Sequence, residues 1–466
     1  MTTSQTTSTS PSMGSSTSTG SSAPRYLTGH FAPVPDETEG FGLEVTGTLP
    51  PQLNGRYLRN GPNPRPGEDP GHWFAGAGML HGVRLRGGRA EWYRNRWVRT
   101  RKLEGAPFFR PDGTPDRAAV TANTHVIAHA DKLFALVESG FPYEVTPDLD
   151  TVGPCDFGGR LTTAMTAHPK EDPVTGELLF FGYSPVPPFL TYHRLSAAGE
   201  LVESRQVEVP AGTMMHDFAI TEHYVVWMDL PVVFDLTLLG QGMPTRWDDG
   251  YGARLGLMRR DGAGEVRWFD IDPCYVFHVG NAYEDAAGRI VLDAVRYSPA
   301  GFAALWKPIG GAVEDPSVTG RLPEADQAAC LYRWRLDPAT GTVGEQALDD
   351  REVEFPTLDD TLTGRPSRYL YTAAEHAIVK YDTVSGTSHA YDTGADSAPG
   401  EAVFVADDGA AEEDGGWLLS IVSDRAGHGS RLLVLDAREM TPVATVTLPR
   451  RVPAGFHGSW IPDARA

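Results

Sequence analysis

His216 lies in Thr213-Met214-Met215-His216-Asp217-Phe218-Ala219-Ile220-Thr221, a polar imidazole inside an apolar, strand-like run. Three other stretches share its grammar: Thr166-Ala167-His168-Pro169, Phe277-His278-Val279-Gly280-Asn281 and Gly455-Phe456-His457-Gly458-Ser459-Trp460. Each places one His among small or apolar neighbours, close to a turn residue. Neutral imidazole is the commonest metal ligand among side chains. Four of them suit a borderline transition metal such as iron, copper, nickel or zinc, and suit calcium or magnesium badly. The chain holds 14 His, so most serve elsewhere, and any one alone is more often an exposed or satisfied core residue. The four are also spread over hundreds of residues, where compact zinc motifs use spacings of about two to five. They can share a site only in a fold that brings distant strands to one axis.

The elements around them repeat one unit. A short apolar or alternating strand meets an Asp- or Gly-rich turn, and a second strand returns. Leu255–Arg260 turns at Asp261-Gly262 into Val266–Ile271, and Cys330–Leu336 turns at Thr340-Gly341-Thr342. Ala377–Tyr381 turns at Ser385-Gly386 into His389–Tyr391, and Leu432–Leu435 returns at Val443–Leu448. Such units read as hairpins. Gly 51 and Pro 37 agree with many turns. A period of about 45 to 60 residues per two-hairpin unit suits propeller blades better than a sandwich. Residues 25–466 have room for about seven such units, so the expected architecture is an all-β propeller forming one catalytic domain. Its innermost strands converge on an axis, which is where four distant His could meet. Gly55–Pro64 reads as a strand running into an Asn-Gly-Pro turn, and no helix of normal length fits the glycine-rich His72–Gly82. Phe234–Asp249 and Pro299–Asp326 read as partly helical insertions. Residues 1–24, mostly Ser and Thr, read as a disordered tail.

Charge and cysteine usage narrow the partners. A formal net charge of -21 argues against nucleic acid and against electrostatic attraction to an anionic membrane. The three Cys, with no CxxC, read as buried thiols in a reducing cytoplasm. No apolar run reaches the ~18 residues of a membrane span, and the N-terminus lacks the pattern of a secretory signal. The acidic run Asp407–Asp414 reads as a solvated loop.

Taken in order, Gly55–Pro64, Trp73–Gly82, Thr166–Lys170 with Asp172–Gly176, Met215–Phe218, Phe277–Asn281 and Gly455–Pro462 make the chain resemble the carotenoid cleavage oxygenase family over nearly all of residues 26–462. The resemblance implies a seven-bladed β-propeller capped by a dome of loops and short helices. It implies non-haem Fe(2+) on the axis, held by His168, His216, His278 and His457. It further implies that Glu138, Glu354 and Glu401 accept the Nδ1–H of ligand imidazoles and so aim Nε2 at the metal. Each of these Glu abuts an apolar run, where an unpaired carboxylate would be costly. Thr124 aligns with a small side chain that crowds one open metal position. The implied reaction is cleavage of an alkene C=C by O2 into two carbonyl products, with the protein orienting a polyene in an apolar tunnel. Trp73, Phe74, Phe108, Phe109, Phe141, Phe234 and Trp306 are candidate tunnel walls. Peripheral membrane contact is expected through Leu230–Phe234 with Leu236, Leu238 and Leu239.

Two departures bear on substrate. Relatives that cleave stilbenes carry Lys immediately before the first of the three Glu, and this chain has Val137. That favours a carotenoid or apocarotenoid over a phenol. Ala77 stands where many relatives have Asp. Three alternatives are cleavage of a phenylpropanoid double bond on the same iron, a carotenoid isomerase, and a non-catalytic propeller that binds proteins. Oligomeric state is left open.

Overall fold

The structure, a computed structural model, describes residues 23–240, 242–311 and 328–463. The expected tail falls almost wholly outside these residues. Structure begins with a 3-10 turn at Arg25–Leu27, whose Tyr26 is buried.

Seven blades surround one axis. Their innermost strands are His125–His129, Lys170–Glu171, Ala219–Ile220, Tyr275–Glu284, Glu354–Thr357, Val403–Ala406 and Gly458–Pro462. Middle strands are packed between neighbouring blades and so are nearly continuously apolar, as in Leu178–Tyr183. Outer strands face water on one side, and Leu201–Val207 alternates accordingly. The core therefore lies between blades: Phe181, Tyr192, Phe218 and Trp227 belong to one cluster that joins two of them.

The ring closes twice. Gly458–Pro462 pairs with Gly55–Pro62, which makes the C-terminal strand the inner strand of the blade formed by the N-terminal segment. Val45–Gly47 pairs with Thr441–Thr447 on the outer edge of the last blade. Both pairings cover edges that would otherwise expose unpaired backbone groups.

The Phe234–Asp249 insertion contains less helix than expected. Val232–Phe234 pairs with Thr245–Trp247 as a hairpin, and among the described residues of the segment the one helical element is a 3-10 turn at Leu236–Leu238. In the second insertion, Pro299–Trp306 is helical, with the Ser298 hydroxyl capping Gly301 N–H and Pro at the first turn. The rest of that insertion, from residue 312, lies outside the described residues. The apolar run proposed to meet a membrane divides in two. Leu230, Val232 and Val233 belong to the core, because their hairpin packs onto a blade, whereas Leu236 and Leu239 are 49% and 48% exposed. Cys274 is buried and the other two thiols are half-buried; all three are free. No described helix is long and apolar enough to cross a membrane.

Candidate metal centre

The propeller places the chemistry where the chain enters its inner strands. His168, His216 and His457 each stand one to three residues before such a strand, and His278 is inside one. The His278 strand is bulged, its pairing slipping between Val276 and Val279. A bulge re-aims side chains next to sites of this kind. All four imidazoles are buried, and their ligand atoms lie within 4.8 Å of one another. Nε2 of His216 is 3.0 Å from Nε2 of His168 and 3.3 Å from that of His278, which is in turn 3.0 Å from Nε2 of His457.

These separations fit a shared ion. Donors about 2.1 Å from one centre stand about 3.0 Å apart at right angles and about 3.4 Å apart at the tetrahedral angle. Bare nitrogen lone pairs facing each other so closely would repel. Burial pushes His168, His278 and His457 well below the ordinary imidazole range, so they are neutral and able to coordinate. Burial also pulls His216 down, but the adjoining Glu138 carboxylate outweighs it and the net direction is upward.

Three imidazoles are backed by carboxylates. Glu138 Oε1 contacts His216 Nδ1. Glu354 Oε2 is 2.5 Å from His278 Nδ1, and Glu401 Oε1 is 2.9 Å from His457 Nδ1. An Nδ1–H given to a carboxylate leaves the Nε2 lone pair pointing inward. His168 has no carboxylate partner among the described residues; its backbone N–H donates to Thr166 Oγ1 at 3.1 Å.

The carboxylates are themselves braced. Glu138 accepts from Tyr183 Oη at 2.5 Å, Glu354 from Tyr297 Oη at 2.8 Å, and Glu401 from Gly458 N–H at 2.6 Å. Phe355, with φ 54, turns the strand start so that its own N–H meets Glu354 Oε2 at 2.5 Å and its ring stacks on His278. Burial pushes Glu354 and Glu401 up to about 7. A divalent cation would reverse that tendency.

The carotenoid cleavage oxygenase of Mycobacterium tuberculosis is 40% identical to this chain over 94% of it and 97% of that protein. The family model described as retinal pigment epithelial membrane protein, RPE65, matches residues 31–462. The chain belongs to the carotenoid cleavage oxygenase family. It is accordingly an enzyme of the oxygenase class. The carotenoid 9,10(9',10')-cleavage dioxygenase 1 of Arabidopsis thaliana is 35% identical over 94% of the chain and 90% of that protein. Two solved structures share the propeller. Cobalt-substituted Synechocystis ACO superposes with a TM-score of 0.79 at 29% identity, over 92% of this chain and 97% of its own. The lignostilbene dioxygenase of Pseudomonas brassicacearum gives 0.82 at 29% identity, over 94% and 99%.

Other anticipated residues fall in several places. Thr124 is buried at the entry to the first inner strand, and its carbonyl accepts from His457 N–H at 3.2 Å. Trp73, Phe74 and Trp306 gather in one aromatic cluster that reaches His216 through Phe277. Phe234 packs on Tyr183, next to Glu138. Phe108 and Phe109 pair with each other, with Phe109 51% exposed. Phe141 packs instead against the Phe134 and Leu136 core between blades.

Sequence reasoning passed over Phe277, Phe456, Tyr183, Tyr297 and His125. Two of these adjoin a ligand-type His in sequence, a signal that was present in the motifs. His125 sits 5.0 Å, centroid to centroid, from His457, but its Nδ1 donates to the Ala167 carbonyl at 2.9 Å, so it stands beside the cluster and outside it.

Proposed function

We propose that the protein cleaves a C=C double bond of a carotenoid or apocarotenoid with O2, using Fe(2+) held by His168, His216, His278 and His457. The observation that carries this reading is the convergence of four buried Nε2 atoms, three of them backed by carboxylates. One alkene and one O2 give two carbonyl products, so the balance needs no external reductant. Iron, when bound, supplies the binding and activation of dioxygen beside the double bond.

The chain's own residues do the rest. Glu138, Glu354 and Glu401 fix ring orientation and offset the ion's charge without occupying its coordination positions. The four imidazoles would hold the ion and leave room on it for dioxygen, and the small side chain of Thr124 would limit that room. Trp73, Phe74, Phe277, Trp306 and Phe456 hold the polyene against the site and exclude water. An apolar chain gains roughly 25 cal/mol per Å² buried there.

A stilbene or other phenylpropanoid is the second reading, favoured by the likeness to a lignostilbene dioxygenase. Val137 weighs against it, since a buried apolar side chain offers a phenol no hydrogen-bond partner. A location in the cytoplasm, with the tunnel mouth meeting lipid near Leu236 and Leu239, fits a lipid-soluble substrate.

The test is anaerobic purification with Fe(2+), metal analysis, and product identification with a β-apocarotenal and a hydroxystilbene in parallel. About one iron per chain and two carbonyl fragments from the apocarotenal are expected. No iron, or stilbene cleavage alone, would overturn the reading.

A further inference from the structure

Arg59 is a largely buried cation with no ion pair among the described residues. Arg59, on the strand Gly55–Pro62, is 5% exposed, and its Nε has no hydrogen-bond partner among the described residues. Its guanidinium lies in a slot between two glycines. A Cβ on Gly400 would fall 3.0 Å from its Cζ and 3.2 Å from both terminal nitrogens, and one on Gly455 would fall 3.2 Å from Nε. A narrow crevice lined by Asn60, His81 and Val452–Gly455 runs beside it. A largely buried charge without a close counterion is costly, so a carboxylate beyond contact distance matters to it.

The carboxylate that acts on Arg59 is one of those behind the four His. Gly400 precedes Glu401, and Gly455 is two residues before His457. Arg59 also stands opposite Gly458, whose N–H donates to Glu401. The Glu401 carboxylate favours the charged guanidinium, and Arg59 favours the charged carboxylate in return. The other two carboxylates are braced by tyrosine hydroxyls; among the described residues Glu401 has, besides His457, a backbone N–H. Three carboxylates against one divalent ion leave one negative charge in excess, and Arg59 is a buried cation that offsets it.

We infer that Arg59 is a positioning residue of the metal centre, its clamped charge holding Glu401 where it orders His457. This rests on the reading of the four His as a metal site. The experiment is a Co(II) titration of the full chain, followed by the ligand-field spectrum, for wild type and Arg59→Met, each with Glu401 and with Glu401→Gln. Arg59→Met is expected to weaken Co(II) binding about tenfold when Glu401 is present, and to have almost no further effect beside Glu401→Gln. Arg59→Lys, which keeps the cation, should recover most of the loss. Gly400→Ala, which crowds the guanidinium, should reproduce the Arg59→Met defect, and decides the matter if Arg59→Met does not fold. Unchanged affinity in Arg59→Met, or equal losses in both backgrounds, would overturn the inference. A wild type that binds no Co(II) would strike down the metal reading, and this inference with it.

Discussion

Lys170 Nζ lies 2.8 Å from Asp217 Oδ1, joining the inner strand after His168 to the residue after His216. Asp217 is buried, and it also accepts from Phe218 N–H at 2.7 Å and Val279 N–H at 2.8 Å. A single carboxylate thus ties together the chain segments of three of the four imidazoles. Removing one member of a buried pair typically costs about 3–5 kcal/mol, because the other is left uncompensated. Lys170→Met should therefore lower stability by about 3 kcal/mol, with a smaller loss if solvent reaches Asp217. Asp217→Ala should lower it further by also freeing two N–H groups. Denaturant unfolding of the metal-free protein checks both. Full stability in Asp217→Ala would show that the strap is dispensable.

The three carboxylates should respond to substitution in a graded way. Glu→Gln at 138, 354 or 401 keeps an oxygen acceptor for Nδ1–H but loses the charge, whereas Glu→Ala loses both. We expect losses of about 10- to 100-fold in metal affinity or activity, greater for Ala than for Gln. Replacing any of the four His by Ala should sharply reduce bound iron and abolish turnover. Full iron content in all four His variants would refute the ligand set.

Metal affinity should depend on pH with a definite sign. Burial pushes Glu354 and Glu401 up to about 7, and Glu138 carries His216 upward against the effect of its burial. Coordination needs these carboxylates ionised and that imidazole neutral. As pH falls through about 7 the metal-free protein takes up protons that binding must release, so affinity falls as pH falls. His168, His278 and His457 are already neutral there and add no slope. Calorimetric titration with Co(II) in buffers of different ionisation heat would count the protons. Equal proton release at acidic and alkaline pH would contradict this.

Val137 should set substrate preference. A phenol hydroxyl buried without a partner forfeits about 1–3 kcal/mol of solvation, and Val137, 9% exposed, supplies none. Wild type should favour an apocarotenoid over a hydroxystilbene in kcat/KM, and Val137→Lys should shift the ratio toward the stilbene by about tenfold or more. A wild type that prefers the stilbene would overturn the substrate assignment while leaving the metal site intact.

Contact with lipid should be apolar in character. Leu236 and Leu239 are about half exposed on one 3-10 turn and its cap, and the net charge is -21. Liposome binding should survive high salt and should weaken in the Leu236→Ser, Leu239→Ser double variant. Binding that collapses as salt rises would point to an electrostatic surface instead.

By itself the sequence determined the repeating hairpins, and with them an all-β propeller, because strand periodicity and turn residues are local and a blade repeats them. It also marked His168, His216, His278 and His457, since a lone imidazole in an apolar strand entry stands out against its neighbours. The resemblance to the oxygenase family singled out Glu138, Glu354 and Glu401 among 61 acidic residues. Their pairing with particular imidazoles, Glu138 with His216 and Glu401 with His457, was decided only in three dimensions. These partners sit in different blades, and the ring's closure sets their distance, which no spacing along the chain encodes. The same holds for Arg59, an ordinary charged residue in sequence. It became a buried cation against Gly400 and Gly455 only when the C-terminal strand paired with Gly55–Pro62. Leu230 and Leu236 have the same side chain six positions apart, yet one is core and the other faces solvent. Burial is a property of what packs against a residue, and that is settled by the assembled blades.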